Sequence, residues 1–155
     1  MKESKNKKRD VQIIGKIIRL QDELYQGIHR YKVTQAVDLA NIDTLVRRGL
    51  IHIVGDIFER TKELSKDTVN RVAFDRDLIR LFRNALTHNY GTISNVEAYT
   101  FIIHCSSKDM RLKIKLLSKE LQEELNSVAT VESSVIIETE MSSDQVFGDE
   151  HDGQR

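Results

Sequence analysis

The sequence has no proline, no tryptophan, one cysteine and seven glycines in 155 residues. Without proline nothing forces a helix to stop, so long helices are the default expectation. Alternating β-branched runs of the kind that make half-buried strands are scarce as well. A single cysteine, Cys105, excludes an internal disulfide and cannot anchor a zinc site alone, so it reads as a small apolar residue on a helix. No stretch approaches the roughly 18 consecutive apolar residues of a membrane span. The basic start over residues 1–9 is not followed by the apolar run of a signal peptide. A reduced, cytoplasmic protein that does not contact a membrane is the expectation.

What the chain does contain is charge, distributed unevenly. Twenty-four basic and 24 acidic residues balance to zero. From Ser127 onward, however, there are seven acids (Glu132, Glu138, Glu140, Asp144, Asp149, Glu150 and Asp152) against one base, Arg155. That leaves 23 basic and 17 acidic residues before Ser127, a net charge of about +6 on residues 1–126. A basic body of this kind is compatible with a polyanionic partner such as RNA.

Apolar periodicity divides the chain into one domain and two flanks. Residues 1–9 are expected to form a flexible basic arm, and residues 127–155 a flexible acidic tail rich in Ser and Thr. Between them, a 10–126 helical domain is expected. Val11, Ile14, Ile17, Ile18, Leu20 and Leu24 mark a first helix from Asp10 to about His29. A second pattern runs from about Gln35 to Ser65. Its two glycines, Gly49 and Gly55, suggest close approach of another helix, since each costs about 1 kcal/mol of helix propensity. A third helix spans roughly Thr68 to Thr87, with Val72, Phe74, Leu78, Ile79, Leu81, Phe82 and Leu86 facing inward. Ser94-Asn95-Val96-Glu97 fits a capping box for a fourth helix, with a step near 104–109 where Ser106 or Ser107 can cap again. The expected fold is all-α, an up-and-down bundle of four to five helices.

The chemistry is concentrated at the end of the third helix, where Arg83, Asn84, His88 and Tyr90 fall within eight residues. Histidine exchanges protons near neutral pH, and the arginine fork pairs with phosphate oxygens while keeping its charge. Together they suit cleavage of RNA without a metal. On a regular helix, five residues separate Arg83 from His88 by about 140°. Either the helix loosens near Thr87, or the site is assembled across a two-fold dimer. Asn84 and His88, four apart, share a face.

The run Arg83-Asn84-Ala85-Leu86-Thr87-His88-Asn89-Tyr90-Gly91 resembles the Arg-x4-His-x-Tyr motif of the HepT family, toxins of the HEPN superfamily. The stretch from Leu50 to Ser65 is similar to that family's second helix, where an acid follows Ile/Val-Gly and Leu-Ser ends the helix. The resemblance covers about Asp10 to Leu125 and leaves out both flanks. It implies a HEPN-like helical homodimer acting as a metal-independent endoribonuclease without a cofactor. Arg83 and His88 fall on the catalytic pair, and Asn84 on the adjoining polar position that orients the phosphate or the histidine. Asp56 falls on the second-helix acid that holds Arg83. Tyr90 matches the tyrosine that a MntA-type nucleotidyltransferase antitoxin modifies with AMP, which excludes RNA by bulk and charge. Three features depart from the pattern. Asp56 stands where Glu is commoner and shortens the reach to Arg83, Ser94 replaces an acid, and no proline precedes the third helix.

The remaining polar residues admit plainer readings. Arg47, Arg48, Arg76 and Arg80 are candidates for an RNA-binding rim, and salt bridges with nearby acids account for them equally well. His52 is expected to be buried or dimer-facing, and His29 and His104 to sit at helix ends in favourable dipole contact. His151 lies in the tail. The histidines lack metal-ligand spacing, so no metal site is expected. Two rival readings stand beside the nuclease. One is a non-catalytic helical dimer that holds RNA or a nucleotidyltransferase partner. The other is a purely structural interaction domain in which His88 caps its helix.

Overall fold

The computed structural model describes residues 2–88 and 93–153, with side chains at residues 2–87 and 93–131. All regular structure among them is helical. Spacing of three and four residues places Ile13, Ile14, Ile17, Leu24 and Ile28 on one buried stripe of α1 (Lys2–Arg30). That stripe is the centre of the core. It packs against α3 (Thr44–Lys62), α6 (Asn95–Ser106) and α7 (Lys108–Gly153). Leu50, Val54, Ile57 and Phe58 of α3 face it, with Phe101 and Ile102 of α6 and Ile114, Leu117 and Leu121 of α7.

Two of the expected helices are each broken in two, which gives seven elements among the described residues in place of four or five. The span from Gln35 to Ser65 divides into a short α2 (Asp38–Asn41) and α3, because Asp43 caps the latter by accepting the Leu45 N–H at 2.7 Å. The span from Thr68 to Thr87 divides into α4 (Lys66–Val69) and α5 (Arg76–His88). Asp75 Oδ1 accepts the Asp77 N–H at 2.9 Å and so opens α5. The expected cap at Ser94 is present, accepting from the Glu97 N–H at 3.1 Å, and the step before α7 falls at Ser107, which caps Met110.

The described helices run into both flanks. Residues 2–9 form the first turns of α1, and Lys7 pairs with Glu124 of α7 at 3.4 Å. A run of good helix formers beside an acidic neighbour suffices to extend the helix. The backbone of α7 likewise continues through the expected tail to Gly153. Its last buried residue among the described side chains is Leu121. No proline interrupts the remainder.

Joints between helices use side chains distant in sequence. Asp10, only 1% exposed, accepts the Ser65 N–H at 3.0 Å, the Ser65 hydroxyl at 2.5 Å and the Thr68 hydroxyl at 2.5 Å. A buried carboxylate with three donors is satisfied, and it locks α1 to the start of α4. The C-terminus of α1 closes with the Val33 N–H donating to Ile28 O and the Lys32 N–H to His29 O. This paired closure puts Lys32 at φ 54°, a position glycine usually fills. The glycines of α3 are not where helices approach most closely. A Cβ at Gly49 would meet nothing within 4 Å, and one at Gly55 would make ordinary contact with the Phe82 ring at 3.5 Å. The tight point is Gly27 of α1, where a Cβ would fall 2.9 Å from Leu50 Cδ2.

One residue seats α5. Phe82 is buried between Phe58 and Phe101, with edge-on ring contacts at centroid distances of 5.3 and 5.1 Å. Leu81, expected inside, is 58% exposed because it lies one residue off that contact. We expect Phe82→Ala to lower the unfolding free energy by about 3–5 kcal/mol in urea titrations. Its neighbours on α5 should then exchange amide protons much faster than those of α1.

His104 supplies a second hold on α5. Its Nε2 accepts the Asp75 N–H at 3.1 Å, a role open only to the neutral ring, and not the helix-dipole contact expected. Burial holds its pKa below the ordinary histidine value, partly opposed by the Asp75 carboxylate. A histidine depressed in the fold contributes stability that is present above its unfolded value, about 6.5, and lost as pH falls through the lower folded value. Between pH 7 and 5 the wild type should therefore lose more stability than His104→Gln, measured by denaturant midpoints at each pH.

Candidate functional site

The α3 residues Arg48, His52, Asp56 and Glu59 are separated by four, four and three positions, so they lie along one helix face. Phe82 anchors α5 opposite that face and brings Arg83 and Leu86 to it. Ile93, just before α6, closes the end. Together these residues line an open cavity of about 860 Å³ whose floor is apolar, formed by Ile51, Phe58, Phe82, Leu86 and Ile93.

Of the residues singled out in the sequence, Arg83, Asp56, Arg47 and Arg48 are brought to this one cavity. Arg76, Arg80 and Asn84 do not line it. Arg76 donates through Nη2 to Asn70 Oδ1, and Arg80 lies 3.9 Å from Asp77 on an exposed surface. Asn84 is exposed. The side chain of His88 and all of Tyr90 lie outside the described residues.

The four arginines therefore have different tasks. Arg47 donates through Nε to Asn95 Oδ1 at 2.9 Å and through Nη2 to the Ile93 carbonyl at 2.5 Å. It clamps the start of α3 to the start of α6. Arg48 is exposed with no partner among the described residues, so its fork faces the cavity uncommitted.

Asp56 does not hold Arg83. Its Oδ2 lies 3.5 Å from His52 Nε2, one turn back on the same helix, and no ion pair joins it to Arg83 among the described residues. The shorter aspartate reaches its own helix neighbour in place of α5. The acid that feels Arg83 is Glu59. Its carboxyl is held below the ordinary glutamate value first by a hydrogen bond from Lys62 and then by the charges of Lys62, Arg83 and Arg60.

His52, expected to be buried or dimer-facing, is not buried in the protomer: its side chain is 79% exposed at the cavity. Sequence reasoning passed over it because α3 looks apolar on most sides. The signal available was the spacing of Arg48, His52, Asp56 and Glu59, which separates one polar face from the rest.

The backbone of α5 is described as far as His88. The Thr87 hydroxyl donates to the Arg83 carbonyl at 2.9 Å, and α5 remains helical through His88. The helix does not loosen. Positions 83 and 88 of a regular helix are about 140° apart.

Comparison of the chain with protein-family models, curated proteins and solved structures finds no match. Among the described residues, no three His, Cys, Asp or Glu side chains are grouped to hold a metal ion. No described helix is long and apolar enough to cross a membrane.

The clamp and the open arginine are separable. Arg47→Ala should cost about 1–3 kcal/mol of unfolding free energy by leaving the Ile93 carbonyl and Asn95 without their donor. Arg48→Ala should change it by no more than about 0.5 kcal/mol, and paired denaturant curves would distinguish them.

Proposed function

We propose that this chain is a metal-independent endoribonuclease of the HepT type, a cytoplasmic HEPN toxin that acts as a homodimer. A nucleotidyltransferase antitoxin silences it by placing AMP on Tyr90. The observation that carries this reading is the sequence run from Arg83 to Tyr90, whose arginine lies on α5 and lines the cavity beside α3. Arg83 and Arg48 offer two guanidinium groups to a phosphate above an apolar floor suited to a base. The 140° between Arg83 and His88 favours a site completed by a second copy, with arginine from one protomer and histidine from the other. Attack of the 2′-hydroxyl would leave 2′,3′-cyclic phosphate and 5′-hydroxyl ends. An adenylyl group on Tyr90, two residues beyond His88, adds negative charge and volume where RNA must bind.

A second reading is a dimer that holds RNA or a nucleotidyltransferase without cutting. The apolar share of the cavity lining favours it, since such a floor also suits a docking side chain.

The purified full chain should cleave RNA in EDTA, and Arg83→Ala and His88→Ala should each lower the rate by about 10²–10⁴-fold while keeping helicity. Co-expression with a MntA-type nucleotidyltransferase should add one adenylyl group, seen by mass spectrometry on Tyr90 and absent in Tyr90→Phe. Retained cleavage in both the arginine and histidine variants would refute the nuclease reading. Tight RNA binding without products would support the second.

A further inference from the structure

We infer that His52, held by Asp56, is a second proton-transfer residue of this site and acts as the base toward the 2′-hydroxyl of RNA. The inference rests on the ribonuclease reading above and deepens it.

Transesterification of RNA requires two proton transfers, one from the attacking 2′-hydroxyl and one to the leaving 5′-oxygen. The motif at the end of α5 supplies one imidazole, His88. The cavity wall offers three further proton acceptors among the described residues: Asp56, Glu59 and His52. Glu59 is committed to Lys62 and held toward its charged, weakly basic form. Asp56 faces His52, with Oδ2 3.5 Å from Nε2. His52 remains. Nε2 is the nitrogen beside the carboxylate, which leaves Nδ1 for a ligand on a side chain that is 79% exposed. An imidazole steadied through one nitrogen by a carboxylate, with the other facing substrate, is the arrangement of a general base.

The charges around the ring suit the same step. Arg48 lies one turn before it on α3, Glu59 seven residues after it, and Arg83 faces it from α5. A phosphate held between Arg48 and Arg83 occupies the cavity that His52 borders. In the step, the 2′-hydroxyl proton passes to His52 Nδ1, the O2′–P bond forms and the P–O5′ bond breaks. The 5′-oxygen takes its proton from His88. Asp56 is a positioning residue that sets which nitrogen of His52 carries the proton in the resting enzyme.

The test uses the full-length chain and a fluorogenic ribo-oligonucleotide in EDTA, with rates followed from pH 5 to 9. His52→Gln should lower kcat by about 10²–10⁴-fold with little change in KM, and should flatten the rise of rate with pH at the acid end. Asp56→Asn should lower kcat less, and Asp56→Glu should restore most of it. Added imidazole should restore part of the activity of His52→Ala but not of Arg83→Ala. Folding is not in question for a side chain this exposed, and circular dichroism checks it. If His52→Gln keeps the wild-type kcat and pH profile while Arg83→Ala is inactive, His52 is only a surface ion-pair partner and the inference fails, leaving the nuclease reading intact. If the wild-type chain cleaves no RNA, both are overturned.

Discussion

The position of α5 depends on a single aromatic side chain driven between two others. Phe82 meets Phe58 of α3 and Phe101 of α6 edge-on, and Phe74 extends the same cluster through Phe58 at 6.1 Å. The other apolar residues of α5, Leu78, Ile79, Ala85 and Leu86, are only half-buried. Gly55 of α3 lies beside the ring, which a Cβ there would meet at ordinary contact distance. Because Arg83 follows Phe82 directly, the packing that seats the helix also aims the cation at the cavity. An element held by one buried ring, a cap at Asp75 and a hydrogen bond to His104 is weakly fastened. Such elements open locally before the core does.

Electrostatics in this protein is a question of which charges are already committed. Arg71 reaches both Glu120 and Glu124 of α7, and Glu124 also takes Lys7, so one acidic helix face ties α1 and the link before α5 to α7. These contacts hold the Glu124 carboxyl low and raise Arg71, in each case first through the hydrogen bond between them. Exposed pairs of this kind are individually weak and serve mainly to set register. Arg47 is spent on a backbone carbonyl. Arg48 and Arg83 have no hydrogen-bond or ion-pair partner among the described residues, and both line the same cavity.

Much of the helical organisation was legible because its causes are local. The stripe of α1, the cap at Ser94, the step at Ser107 and the placing of Arg83 near the end of a helix all follow from residue types a few positions apart. The breaks at Asp43 and Asp75 have local signals too. They were overridden by continuous apolar patterns on either side, which periodicity reads as one helix. Along both flanks low apolar content leaves periodicity without a signal, although the described backbone there is helical.

By itself, then, the sequence determined an all-helical chain, the apolar face of each main helix, and the run of arginine, histidine and tyrosine on which the functional proposal rests. Tertiary structure decided which polar groups were used up in holding the helices together and which were left open. Asp10 became a lock for α4, Arg47 a clamp on α6, and Asp56 a partner for His52 rather than Arg83. The physical reason is range. Helix periodicity and capping act over three or four residues, whereas burial and hydrogen-bond pairing depend on whichever groups the folded chain brings within about 3 Å.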